Sequence, residues 1–143
     1  MPADACVHPI MAAACLVAIA SGTGVNISND SMTNAGALFG TQLVVSTAAN
    51  HARSVAVGDF NGDGHLDLAS AAGNTIAWYK NTDGLGTFGA QIVVSTAAKY
   101  ARSVAVGDFN GDGHLDLASA SALDNKIAWY KNTDGLGTFG AQI

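Results

Sequence analysis

Twelve residues, DFNGDGHLDLAS, occur twice in the chain without a change, at 59–70 and 108–119. With Asp59 as position 1, Asn61 stands at 3, Asp63 at 5, His65 at 7 and Asp67 at 9. Side-chain oxygens at positions 1, 3, 5 and 9, with the backbone carbonyl at 7, can wrap one hard cation. Water would complete the roughly six to eight oxygen ligands that Ca2+ takes. Gly62 and Gly64 supply the positive-φ turns that such wrapping requires. The second copy offers Asp108, Asn110, Asp112, His114 and Asp116 in the same roles. One Ca2+ is therefore expected in each loop, two in total, with His65 and His114 contributing carbonyls and turning their imidazoles away.

An all-oxygen donor set with no nearby cysteine favours Ca2+ over Zn2+. A cage of several carboxylates suits Ca2+ better than Mg2+. Position 12 is Ser70 rather than a bidentate Glu, and the flanks read as strands, which argues against a helical EF-hand. The competing reading is a pair of Asx-rich turns without metal. Against it stands charge: three carboxylates within reach of one another, and no Lys or Arg inside the stretch, repel strongly unless a cation intervenes.

The elements that must position these loops repeat as well. FGAQIVVSTAAKYARSVAVGDFNGDGHLDLAS at 88–119 answers to FGTQLVVSTAANHARSVAVGDFNGDGHLDLAS at 39–70, a shift of 49 residues. Beyond Ser119 the shift becomes 51, because two residues are inserted before the second IAWYKN. A period near 50 falls in the range of propeller blades rather than helical solenoids. QIVVST (91–96) and SVAVGDF (54–60) are rich in β-branched residues, and LDLASA alternates Leu66 and Leu68 against Asp67 and Ala69. TIAWYKN alternates Ile76 and Trp78 against Ala77 and Tyr79. Turn clusters NGDG, AAGN and TDGLG separate these runs. The expectation is an all-β fold of four-stranded antiparallel sheets, the unit of a propeller blade.

DFNGDGHLDLA, followed by Phe88-Gly89 and again by Phe139-Gly140, resembles the FG-GAP or VCBS-type repeat over about residues 37–143. In that family the D-x-N-x-D-G-x-x-D motif is a strand–loop–strand calcium site, and the repeats build the seven-bladed β-propellers of integrin α-chains and of many secreted proteins. The resemblance implies an extracellular or cell-surface calcium-binding module serving as a scaffold or in adhesion and recognition. FGTQ and FGAQ stand where the family's GAP would, so integrin-type ligand recognition is not carried over. The implied organisation is an N-terminal apolar segment over 1–36, one repeat over 37–87 and a second over 88–143. Two full repeats and one degenerate repeat make an incomplete propeller or open arc, part of a larger propeller or a homo-oligomer.

Other classes are weighed against this one. The six Lys and Arg are scattered among eleven acids, all Asp, with a net charge of −5; a nucleic-acid partner is not expected. His65, Asp67 and Ser70 are the residue types of a nucleophilic triad, but they recur unchanged in the next copy. A catalytic site normally converges once, so no enzyme is expected. A carbohydrate-binding, lectin-like propeller, or a fragment of a propeller-type polysaccharide lyase or hydrolase, is the alternative. Trp78-Tyr79 and Trp129-Tyr130 could stack on sugars, although packing between blades is the simpler role for them. Arg53 and Arg102 read as surface charges, solvated or paired, and a protein or carbohydrate ligand is left open.

IMAAACLVAIA (10–20) is too short to span a bilayer. It reads either as a signal-peptide core, cleaved after Ala20, or as a decayed repeat in which Ala20, Ser21, Gly24 and Ile27 answer to Ala69, Ser70, Gly73 and Ile76. Cys6 and Cys15 could pair or be lost to processing. Asn26 and Asn29 sit in glycosylation sequons.

Overall fold

The structure, a computed structural model, describes residues 41–143. The apolar run at 10–20, Cys6, Cys15, Asn26 and Asn29 lie outside the described residues. Among the described residues every regular element is a strand, as the alternating patterns require. Strands β1 (Ala52–Gly58), β2 (Asp67–Ala72), β3 (Thr75–Tyr79) and β4 (Ile92–Ser95) form one antiparallel sheet in chain order. Strands β5 (Ala101–Gly107), β6 (Asp116–Ser121) and β7 (Lys126–Tyr130) form a second. The register is the same in both: Gly58 opposite Asp67 and Leu68 opposite Tyr79 become Gly107 opposite Asp116 and Leu117 opposite Tyr130.

The sequence period and the sheet are out of phase. Ile92–Ser95 follows the repeat boundary at 87/88, yet it pairs with β3 of the preceding copy, Trp78 opposite Ile92. Ile143 repeats this contact on the second sheet, exchanging both backbone hydrogen bonds with Trp129 at 3.0 and 3.1 Å. The matching segment of the first copy, Gln42–Thr47, forms no strand.

One face of the first sheet packs on one face of the second. Ala69, Ala71, Ile76 and Trp78 come from the first, and Val104, Leu117, Ala128 and Tyr130 from the second. Phe60 joins them from the β1–β2 loop, edge-on to Trp78 at 5.9 Å and to Phe139 at 6.0 Å. Polar contacts stitch the same seam: Ala101 donates to the Gly73 carbonyl at 2.7 Å, and Tyr100 N–H to the Asn74 side chain at 2.9 Å. Arg53 and Arg102, expected as simple surface charges, both stack on the Tyr100 ring, at 4.6 and 4.5 Å from its centre. A planar guanidinium over an aromatic face gains electrostatically while keeping its edge hydrated.

The alternation around the start of β2 buries its Asp67 and Ala69 side rather than Leu66. Leu66 is exposed, whereas Asp67 and Ala69 are fully buried. An edge leucine beside a loop has no sheet above it, while Asp67 lies beneath the loop. The rings of Trp78, Tyr79 and Tyr130 are buried, Tyr79 and Tyr130 with their hydroxyls against Ser70 and Ser119 at 3.2 and 3.1 Å.

Identical residues thus have different surroundings: Ile76 is 0% exposed, while its repeat equivalent Ile127 is 80% exposed. Ile76→Ala is expected to cost about 2–5 kcal/mol. Ile127→Ala in dilute protein should stay within about 0.5 kcal/mol of the parent. Urea denaturation of the two variants side by side checks this.

Candidate metal centre

Each acidic loop leaves a strand end and returns to the next strand through one closing pair, Gly58 opposite Asp67 and Gly107 opposite Asp116. Between these ends the backbone turns sharply at Gly62 and Gly64, where φ is 72° and 84°, and at Gly111 and Gly113, where it is 74° and 87°. The loop's own amides then orient its oxygens. Asp59 Oδ1 accepts from the N–H of Gly62 and Asp63 at 2.8 and 3.2 Å, and Oδ2 from Gly64 at 2.9 Å. Asn61 Oδ1 accepts from Asp63 N–H, and Asp63 Oδ1 from His65 N–H, each at 3.0 Å. Asp108, Asn110 and Asp112 repeat the pattern, accepting from Gly111, Asp112, Gly113 and His114 at 2.8–3.1 Å.

Position 9 is placed differently. Asp67 and Asp116 are 0% exposed and serve as clamps. Asp67 Oδ1 accepts from Asn81 N–H at 2.8 Å and Oδ2 from Phe60 N–H at 3.1 Å. Asp116 does the same for Asn132 at 2.8 Å and Phe109 at 3.3 Å. These carboxylates join the start of the acidic loop to the residue that follows β3 or β7.

The expectation that the loops lack a basic partner is corrected. Lys80 Nζ lies 3.0 Å from Asp63 Oδ2, and Lys131 Nζ lies 3.1 Å from Asp112 Oδ2. Pairing of β2 with β3 puts Leu68 opposite Tyr79, so the next residue, Lys80, comes out beside the loop. The recurring WYKN was the signal for this, but only the strand register connects it to DFNGDG. His65 is also engaged: its Nδ1 is 3.5 Å from Asp63 Oδ1, and its ring lies against Gly84 in the turn after β3. A Cβ on Gly84 would sit 2.7 Å from His65 Cδ2.

These contacts set the proton affinities. The His65 amide, then Lys80, holds Asp63 below 3.8, and the His114 amide, then Lys131, does so for Asp112. The Gly113 amide lowers Asp108 similarly. Burial pushes Asp67 up; its two amide bonds oppose the shift, and repulsion from Asp63 and Asp59 adds to it.

The residues present fit a hard cation by donor chemistry: carboxylate and amide oxygens on one loop, each carboxylate having more acceptor capacity than its amides use. Among the described residues, no three His, Cys, Asp or Glu side chains converge as metal ligands. Residues 59–119 match a family model described as FG-GAP-like repeat. This segment is similar to an FG-GAP-like repeat. The match opens on Asp59, position 1 of the first acidic loop, and closes on Ser119, inside β6 beyond the second loop. No curated protein matches the chain. The FG-GAP-like segment accordingly holds both loops, both clamps and the four strands β2 to β5.

Asp67→Ala leaves two buried amides without an acceptor and is expected to cost roughly 2–5 kcal/mol. Urea denaturation measures it. Acid dependence follows from the depressed groups. Asp63, Asp108 and Asp112 contribute stability in full above 3.8, and this is lost as pH falls through their lower folded values. Asp67 has the opposite sign, since a raised value removes stability as pH rises through its folded range. The double variant D63N/D112N should therefore lose less stability than the parent between pH 5 and 2, read as a shallower fall in melting temperature (roughly the carboxylate titration window).

Proposed function

We propose that the chain is a calcium-binding β-propeller-type repeat module, extracellular and non-catalytic, serving as a scaffold or in adhesion and recognition. The observation that carries this reading is the duplicated loop of the FG-GAP-like segment, whose position 1, 3 and 5 oxygens are fixed in place by the loop's own amides. Asp59, Asn61 and Asp63 would hold the ion in the first loop and Asp108, Asn110 and Asp112 in the second, joined by the carbonyls of His65 and His114 and by Asp67 and Asp116. Ca2+ would supply positive charge where like-charged carboxylates meet, and binding would appear as folding stability. Extracellular calcium is abundant enough for sites of modest affinity.

A non-catalytic role is supported by the partners of the triad-like residues. Asp67 is committed to two amides and Ser70 to the Tyr79 hydroxyl, and no hydrogen bond links His65 to either among the described residues. A lectin-like role would need free aromatic faces, and three of the four rings in the two Trp-Tyr pairs are buried.

The lysine contacts favour a second reading, in which Lys80 and Lys131 serve as the built-in counter-ions of metal-free loops. Thermal melts with millimolar Ca2+, Mg2+ or EGTA, on the parent and on K80A/K131A, separate the two. A Ca2+-specific rise in melting temperature, larger in the double variant because the ion no longer competes with lysine, supports calcium. No Ca2+ response in either protein, with K80A/K131A melting lower, overturns calcium and leaves the lysine-neutralised loop.

A further inference from the structure

We propose that the end of the sheets opposite the acidic loops binds an acidic peptide segment of a partner protein, with Arg53 and Arg102 taking a side-chain carboxylate and the adjoining cleft taking the peptide beside it. This rests on the recognition role proposed above but uses neither acidic loop, so its failure leaves the calcium reading standing.

Arg53 and Arg102 lie near the starts of β1 and β5, and both are exposed. Tyr100, half-buried, gathers them: the guanidinium carbons lie 4.6 and 4.5 Å from its ring centre, and Arg53 Nη2 donates to its hydroxyl at 2.6 Å. Among the described residues no carboxylate comes within ion-pair distance of either guanidinium. Asp124, the acid on a turn at this end, is paired with Lys126 at 3.5 Å instead. Two like charges are therefore held at one ring without a counter-ion, and an anion arriving there relieves their repulsion. Stacking occupies the flat faces of the guanidiniums and leaves their N–H edges, whose fork matches a carboxylate.

Tyr100 is also a wall of a cleft of about 330 Å3, together with Asn50, His51, Gly73, Asn74 and Thr75. Its own N–H donates to Asn74 Oδ1 at 2.9 Å, which fixes the ring beside the β2–β3 turn. Asn74 keeps its NH2 group free for a ligand, and the exposed Asn50 side chain adds a second amide. Such amides present a donor and an acceptor together, the pair that a peptide bond requires. A saccharide would call for a free aromatic face, and the Tyr100 ring already carries the guanidiniums. A long polyanion is opposed by the net charge of −5 and by the acidic loops at the far end. A short acidic segment meets only the cationic end.

Titration of the isotope-labelled full chain with the peptide Gly-Ser-Asp-Glu-Ser-Gly, followed by amide NMR in EGTA and again in Ca2+, gives the readout. The signals of Asn74, Tyr100 and Arg102 should shift saturably in both buffers. The same peptide with Asn-Gln in place of Asp-Glu should bind about tenfold more weakly, since the charge-assisted bonds are lost. Arg53→Gln and Arg102→Gln should each weaken binding roughly fivefold. Asn74→Asp keeps an oxygen for the Tyr100 N–H but aims a like charge at the peptide, so it should weaken binding while keeping the parent's melting temperature. No saturable shift, equal binding of the neutral peptide, or binding undiminished in both arginine variants overturns the proposal. Acetate shifting the same signals at the same concentrations reduces the site to an adventitious ion only, and glucuronate binding more tightly than the peptide reassigns it to a saccharide; either result likewise overturns it.

Discussion

The buried carboxylate of Asp67 is the contact on which most of the first repeat depends. Its two oxygens accept from Phe60 N–H on one side and Asn81 N–H on the other. Taking a carboxylate out of water is costly, and two amides aimed at it offset that cost only while both remain in place. The clamp thereby ties the mouth of the acidic loop to the end of β3. Its reach extends further, because Phe60 is the ring that meets Trp78 and Phe139 in the core, and the Phe60 carbonyl accepts from the Asn132 side chain at 2.8 Å. Loop, sheet and sheet–sheet seam meet at one residue.

The same residue marks how far the sequence could be read. Local alternation and turn chemistry made the strands and the repeat legible, since both act over a few positions. D-x-N-x-D-G likewise showed that Asp59, Asn61 and Asp63 share a loop, because their hydrogen bonds are to amides at most five residues away. The clamp made by Asp67 was not legible, because spacing reports nearness along the chain and not which amides a side chain meets. Asn81, which claims one of its oxygens, lies fourteen residues on. Lys80 was missed for the same reason. Its contact with Asp63 exists only because β2 and β3 pair in one particular register.

Near-identity of the repeats hid a second distinction. Phe60 is fully buried and Phe109 is 51% exposed, although each follows the first Asp of the same twelve residues. Burial in a stacked fold depends on which neighbour stands beside a sheet, and a local sequence does not carry that information. Equivalent positions are consequently unequal in energetic weight, and the first copy's back face carries more of the core than the second's.

The offset between repeat and sheet has a consequence for how such a chain can lengthen. Because β4 lies beyond the repeat boundary yet hydrogen-bonds to β3 of the copy before it, each repeat unit brings the closing strand of its predecessor. Duplication of a segment with these boundaries leaves no bare joint between old and new sheets, since the incoming DNA encodes the fastening along with the part. Growth by copying is then mechanically continuous at the repeat boundary: parting the chain between residues 87 and 88 must tear the hydrogen bonds that hold β4 to β3.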